Sequence, residues 1–253
     1  HIFLIALAFK LAGVRFVFDH HDLTPETYVA KFGSRRFLYR VLLWMERRSL
    51  RTADVVISTN ESYKRVALER GGRRDGDVVV VRNGPELDSM AAAAPQPVFR
   101  DGFRHLVGYV GIIGMQEGLE NLLEAASYIV GKKGRSDVKF AVVGTGPRLE
   151  SLIREARALG LERQVQFYGY VPDRKLYEIL ATADICVNPE FRNEFTDKST
   201  MIKIMEYMAF GKPVVQFRTT ESEFTAGEAA VHVPENDVVA FADQELRQAP
   251  CAG

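Results

Sequence analysis

The stretch DKSTMIKIMEYMAFGKPVVQF, residues 197–217, reads as a loop, a helix and a buried strand. Ser199, Lys203 and Glu206 stand at i, i+4 and i+7 and are expected to share one helical face. Met201, Ile202, Met205, Met208 and Ala209 form the opposite stripe, expected to face a core. Gly211 is the expected stop, and Pro213 cannot continue the helix. Ser199 or Thr200 can cap the helix, where free N–H groups and the positive dipole end favour an anion. Lys203 supplies a cation beside that point and Glu206 a hydrogen-bond acceptor, which suits a phosphate next to a polyol. An ordinary amphipathic helix with a Lys–Glu pair has the same local pattern.

Outward from this stretch, β and α patterns alternate along the chain. Upstream, IFLIALAFKLAG (2–13) reads as a core helix and VRFVFD (14–19) as a strand with HHDLTPE at its carboxyl end. A helix is expected over 34–51, with Phe37, Leu38, Val41, Leu42 and Met45 inward and Arg35, Arg36, Arg40, Arg47 and Arg48 on the other side. ADVVIS (53–58) is a buried strand, Asn60 caps the next helix, and DVVVV (77–81) is a further strand. Residues 82–102, RNGPELDSMAAAAPQPVFRDG, lack periodicity and read as an interdomain linker. The alternation then restarts: strand 106–111, helix 119–130, strand 139–144, helix 148–159, strand 165–169, a helix capped by Asp173, strand DICVNP and, after the opening stretch, strand AAVHVP. The expected fold class is α/β, with two doubly wound Rossmann-like parallel-sheet domains, 1–98 and 99–253. In such sheets ligands bind outside the carboxyl ends of the strands. Those ends read HHD, RNG, GIIG, GTGP, YGYVP and NPEFRNEFTDKS, which suits a cleft lined by both domains.

Bulk properties agree with a globular chain: 253 residues, 47% hydrophobic and 26% charged. Basic and acidic residues balance at 33 each, which argues against nucleic acid as partner. Residues 1–98 carry 15 basic and 11 acidic side chains, and 99–253 carry 18 and 22. Cys186 lies in an apolar strand pattern and reads as a core residue, and with Cys251 it gives no metal-ligand spacing; a cytoplasmic location is expected. The first apolar run is too short, and too interrupted by Lys10, to span a bilayer.

VGTGPRL, between a strand and a helix, has two of the three glycines of a dinucleotide fingerprint, since Leu149 stands at the third position. It fits a tight β–α turn, or backbone contact with a single nucleotide, better than a nicotinamide site. His21–Asp22 at a strand end can position a hydroxyl nucleophile or stabilise a leaving phosphate, and a structural His–Asp turn looks the same. His20 is the neighbour most easily confused with it. No nucleophile elbow and no P-loop occurs.

Taken in order, ADVVIS, VVRNG, VGYVGIIGMQEGLENLLEA, FAVVGTGP, VQFYGYVP, ADICVNP and KIMEYMAFGKPVV resemble the family 4 retaining glycosyltransferases of the GT-B fold, over about residues 1–245. The branch that builds bacterial surface polysaccharides, O-antigen and capsule, is the most similar. The resemblance implies that Glu206 grips the ribose of a nucleotide-sugar donor, and that Gly111, Gly144, Thr145, Gly146, Pro147, Tyr168, Gly169, Tyr170 and Val171 lie beside the nucleotide. It also implies that Ser199, Thr200 and Met201 meet the diphosphate and sugar and that His21 lies near the transferred sugar.

Three departures stand out. Ile112 and Glu117 occupy the positions of the arginine and lysine that bind the donor phosphates. Lys198 occupies that of the first glutamate of the paired motif. Phosphate neutralisation is then expected from Lys198 and Lys203, as in a branch with a G-x-I-G loop and a lysine three before the second glutamate. The third departure is truncation: the family's first strand and Gly-rich loop are not seen before His1, nor the last helices after QAPCAG. The implied catalytic set is His21, Lys203 and Glu206, with no metal and no cofactor, the nucleotide sugar being the substrate. The implied acceptor is a lipid-linked or saccharide hydroxyl, and the arginine face of 34–51 suits an anionic membrane surface on the inner face of the cell membrane. The alternatives are a catalytically degraded nucleotide-sugar-binding module and an NAD-dependent oxidoreductase.

Overall fold

A computed structural model describes residues 2–33 and 36–248. Arg35, the first residues of the 34–51 helix and Cys251 lie outside the described residues. By contacts the chain divides into two compact units, one running to Asn83 and including Asn193–Thr200, the other comprising Gly84–Arg192 and the residues from Met201 onward.

The first unit contains α1 (Ile2–Leu11), β1 (Val17–His20), α2 (Thr24–Phe32), α3 (Arg36–Thr52), β2 (Val55–Ser58), α4 (Glu61–Gly71) and β3 (Val78–Val80). Its three strands are parallel in the order β1-β2-β3. Leu50, Ala53, Val56, Ala67 and Val78 form its core, with Phe16, Phe18 and Leu68 packed against them. Asn60 caps α4 as expected, its side chain accepting from the Tyr63 N–H at 2.7 Å.

Two expectations fail here. α1 is not a core helix among the described residues: Phe3 and Ala6 are buried, whereas Ile2, Leu4, Ile5, Leu7, Phe9 and Leu11 are exposed. A helix apolar all round does not announce which face packs, and this one buries Phe3 and Ala6, with Phe3 edge to face against Trp44 at a centroid distance of 5.4 Å. In α3, Phe37 and Leu38 are exposed rather than inward, and the buried face carries Glu46, Ser49 and Leu50. Apolar periodicity misses this face because its centre is a charge. The Glu46 carboxylate accepts from Arg70 at 2.8 Å and pairs with the buried His20 ring at 3.2 Å, and Arg70 also pairs with Glu26. Burial alone would raise the Glu46 carboxyl, but the hydrogen bonds from His20 and Arg70 outweigh it and hold it below the usual range.

The second unit contains α5 (Leu87–Ala91), β4 (His105–Val110), α6 (Leu119–Ser127), β5 (Val138–Val143), α7 (Leu149–Ala158), β6 (Val165–Gly169), α8 (Asp173–Thr182), β7 (Ile185–Asn188), α9 (Ile202–Ala209), β8 (Val214–Phe217), α10 (Thr220–Ala226), β9 (Ala230–Val233) and α11 (Val238–Gln248). Every strand pair is parallel, in the order β6-β5-β4-β7-β8-β9. Numbered within the unit this is 3-2-1-4-5-6, the doubly wound nucleotide-binding order. Both sheet faces are covered: one core runs through Leu122, Phe140, Leu152, Val187 and Phe241, the other through Leu106, Ile179, Leu180, Cys186 and Tyr207. Cys186 is fully buried, as its strand pattern implied.

The stretch read as an interdomain linker contributes α5, and from Gly84 onward it belongs to this unit. The Arg100 guanidinium donates to both Asp184 oxygens, at 2.7 and 2.6 Å, and the Gln96 N–H donates to the Thr182 hydroxyl at 2.7 Å. Asp173 is the first residue of α8 and not its cap, which is Pro172 with no side-chain bond.

Candidate functional site

In the 3-2-1-4-5-6 order the switch point lies between β4 and β7, where the following loops diverge and leave a crevice. Three glycines let the backbone close up there. A Cβ on Gly144, after β5, would lie 1.8 Å from the Gly111 carbonyl oxygen after β4, and φ at Gly144 is +140°. A Cβ on Gly146 would lie 2.3 Å from the Ile113 carbonyl oxygen. Ile113 N–H donates to Thr145 O at 2.9 Å, Arg148 N–H to Ile113 O at 3.0 Å, and Gly144 N–H to Gly169 O at 3.0 Å. A Cβ on Gly118 would lie 2.0 Å from the Pro189 carbonyl oxygen, to which Asn121 also donates at 2.9 Å. The loops after β4, β5, β6 and β7 are thereby laced at one edge of the sheet. Thr145, Pro147 and Tyr170 are exposed on it, while Val171 is buried. Tyr168 is half-buried against Phe99.

α9 lies on this edge through Tyr207, whose hydroxyl accepts from Val110 N–H at 3.0 Å and donates to Val187 O at 3.3 Å, one backbone group on each side of the switch point. Its inward face is Lys203, Ile204 and Tyr207, all buried, and Ile202 is exposed. The expected core stripe of Met201, Ile202, Met205, Met208 and Ala209 is therefore wrong: the two inward polar side chains find partners at the strand ends, and burial follows the partners. Gly211 ends the helix as expected, with φ +61°, its N–H bonded to Met208 O at 2.9 Å.

The Lys203 ammonium sits beside Gly111. It donates to Glu190 at 2.6 Å, to Glu117 at 2.8 Å and to the Tyr109 hydroxyl at 3.4 Å, and lies 4.9 Å from the centroid of the Tyr109 ring. Burial would lower its pKa, but Glu190, Tyr109 and Glu117 hold it well above the usual lysine value. Glu117 thus occupies the expected phosphate-lysine position as the counter-ion of Lys203, and Ile112 is exposed and uncharged. Glu206, one turn on, is half-buried, with its carboxyl raised by burial, against Lys203, which lowers it, and with Asp173 adding to the rise.

Lys198, Ser199 and Thr200 belong by contact to the first unit and not to the face of α9. α9 begins at Ile202 with Met201 at its cap position and no side-chain cap bond, so Ser199 neither caps it nor shares a face with Lys203 and Glu206. The hydroxyls are taken elsewhere. Ser199 donates to Phe195 O at 2.8 Å and meets the Tyr63 hydroxyl at 3.1 Å, while Asn60 donates to Lys198 O at 2.8 Å and to the Thr200 hydroxyl at 3.0 Å. His21, at the end of β1, is exposed between Asp19 at 3.5 Å and Asp22 at 3.6 Å, whereas His20 is buried in the Glu46 network.

Glu190 and Tyr109 were missed in the sequence. A carboxylate directly after a buried strand, in NPEF, was the available signal for Glu190; an isolated strand tyrosine gave none.

A fully parallel sheet in this order, with glycine-laced loops and a buried lysine at its switch point, defines a doubly wound, Rossmann-like unit of the GT-B class. The chain belongs to the group 1 glycosyl transferases: residues 104–248 match that family's model, and residues 1–84 match that of a glycosyl transferase 4-like domain. The 2-deoxystreptamine N-acetyl-D-glucosaminyltransferase of Streptomyces fradiae is 26% identical over 247 residues, covering 93% of this chain and 56% of that protein. The D-rhamnosyltransferase WbpZ of Pseudomonas aeruginosa is 25% identical over 236 residues, 90% of this chain and 58% of that protein. The chain thus spans little more than half the length of these curated relatives. Anabaena HepE in complex with UDP superposes with a TM-score of 0.73 at 19% identity, over 98% of this chain and 67% of that one. Sucrose-phosphate synthase from Thermosynechococcus elongatus superposes with a TM-score of 0.72 at 23% identity, over 97% and 62%.

Proposed function

We propose that this chain forms the catalytic body of a retaining, metal-independent glycosyltransferase that moves a sugar from a nucleotide-sugar donor to a hydroxyl on a lipid-linked or saccharide acceptor, in the cytoplasm, as a step in building a bacterial surface polysaccharide. The carrying observation is the buried Lys203 beside Gly111 at the β4/β7 switch point, where a helix start and a cation converge. In this reading the loops at 144–147 and 168–171 flank the nucleotide and Glu206 accepts from the ribose hydroxyls. The first turn of α9, from Met201, and Lys203 stabilise the departing diphosphate. The family resemblance further assigns His21 to the sugar or the acceptor, and Lys198, Ser199 and Thr200 to the donor. The reading is supported by family membership and by relatives whose names state glycosyl transfer.

Screening nucleoside diphosphates and their sugars by thermal shift tests it. A ligand present at 100 times its dissociation constant adds about 2.7 kcal/mol. A matching donor is expected to raise the melting temperature of the protein and not of Glu206→Ala, which loses the ribose acceptor. Equal shifts in both proteins, or a shift with NAD that UDP does not displace, would refute the assignment.

A membrane partner is supported by a separate observation. α3 exposes Phe37, Leu38 and Trp44 among Arg36, Arg40, Arg47 and Arg48, with the Arg48 guanidinium 5.7 Å from the Trp44 ring centroid. Apolar side chains ringed by cations suit an anionic lipid interface. Among the described residues no helix is long and apolar enough to cross a membrane. Cosedimentation with phosphatidylglycerol vesicles is expected, weakened by salt and by Trp44→Ser; equal binding to purely zwitterionic vesicles would sink the idea.

A further inference from the structure

The buried charge at the switch point does not balance. One ammonium, Lys203, faces two carboxylates: Glu117 from the loop after β4 and Glu190 from the loop after β7. Tyr109 from β4 and Tyr207 on α9 itself face the same ammonium, and Glu206 lies one turn further along. The Glu190 side chain is 4% exposed and that of Glu117 19%. Two ionised carboxylates in one dry site repel each other, and the better buried one gives way by taking a proton. Both carboxyls converge on the one ammonium, Glu190 at 2.6 Å and Glu117 at 2.8 Å. Burial pushes the Glu190 carboxyl up to about 7 against the pull of Lys203, whereas Glu117, despite burial, is held below its usual value by Lys203. The cluster is therefore neutral when Glu190 carries its proton and singly negative when it does not.

We infer that Glu190 is a positioning residue for the donor diphosphate: it holds the Lys203 ammonium beside Gly111, and binding of the anionic donor draws a proton from water onto the Glu117–Glu190 pair. The inference rests on the donor site proposed above. A diphosphate approaching Gly111 meets repulsion from the ionised pair and none from the protonated one, so proton and donor bind together. The proton comes from solvent, stays on the Glu190 carboxyl, and returns when the nucleotide leaves.

The test uses UDP-glucose and GDP-mannose, whose diphosphate diesters hold no titrating phosphate proton near neutrality. Titration calorimetry of the protein, in buffers of different ionisation enthalpy, is expected to show uptake of a large fraction of one proton per donor at about pH 8, and affinity falling about tenfold between about pH 6 and about pH 8. Glu190→Gln keeps the oxygen that Lys203 uses and is expected to bind with neither proton uptake nor pH dependence. Infrared spectra of the ligand-free protein supply a readout without donor: a protonated-carboxyl band that vanishes as pH rises through about 7 and is absent from Glu190→Gln. Donor binding without proton uptake, or uptake unchanged in Glu190→Gln, overturns the inference and leaves the donor site standing. A normal infrared band with no donor bound at any pH overturns the donor site, and this inference with it.

Discussion

Gly144→Ala is expected to cost the protein about 4 kcal/mol or more, an unusually large loss for adding a single methyl group. The new Cβ would stand 1.8 Å from the Gly111 carbonyl oxygen, on a backbone at φ +140° that L side chains rarely adopt. Neither group can give way, because Gly111 N–H is bonded to Val143 O at 3.1 Å and Gly144 N–H to Gly169 O at 3.0 Å. The control is Gly160→Ala: φ there is +70°, yet nothing lies within 4 Å of the added Cβ, so only the left-handed strain of about 1–2 kcal/mol remains. Urea unfolding of both variants separates the terms. Equal losses would mean that the loops after β4 and β5 are not held as tightly as described.

Lys203→Met is the second large effect. It removes the cation from one buried and one part-buried carboxylate while filling nearly the same volume, and breaking such a group from one side costs about 3–5 kcal/mol. Its pH dependence follows from the signs. In the native protein Lys203 titrates above its unfolded value, so its contribution is fully present below that value and lost only as pH rises through the folded one. Acid to neutral solution leaves that contribution unchanged. In the variant, Glu117 and Glu190 lose their counter-ion and are stabler protonated. A carboxyl raised in the folded state adds stability at low pH that fades as pH rises. The deficit against the native protein is therefore expected to shrink between about pH 8 and about pH 5. Denaturant midpoints at both ends check it, and a deficit independent of pH would contradict the charge cluster.

The alternation of strand and helix patterns carried the α/β class and the strand ends that frame the candidate site, because parallel strands buried on both faces leave apolar runs bounded by glycine and polar turns. The glycines of GTGP were visible as a turn, while the carbonyl that requires Gly144 comes from a loop some thirty residues away in the chain. Periodicity misread α9 for a definite reason: a lysine and a tyrosine point inward there, satisfied by groups on the strands and the loops that follow them. The same blindness hid the Glu46 face of α3. The hydroxyls of Ser199 and Thr200 had the right chemistry to cap α9, but Tyr63 and Asn60 engage them instead. Local pattern ranks candidates for a bond and cannot see distant competitors.

The most direct test of the central claim is a crystal structure of the protein with whichever nucleoside diphosphate the thermal-shift screen selects. The diphosphate is expected beside Gly111 and the first turn of α9, near Lys203, with the ribose hydroxyls on Glu206. A nucleotide bound elsewhere, with the edge at Gly111 and Glu206 left untouched, would contradict the account.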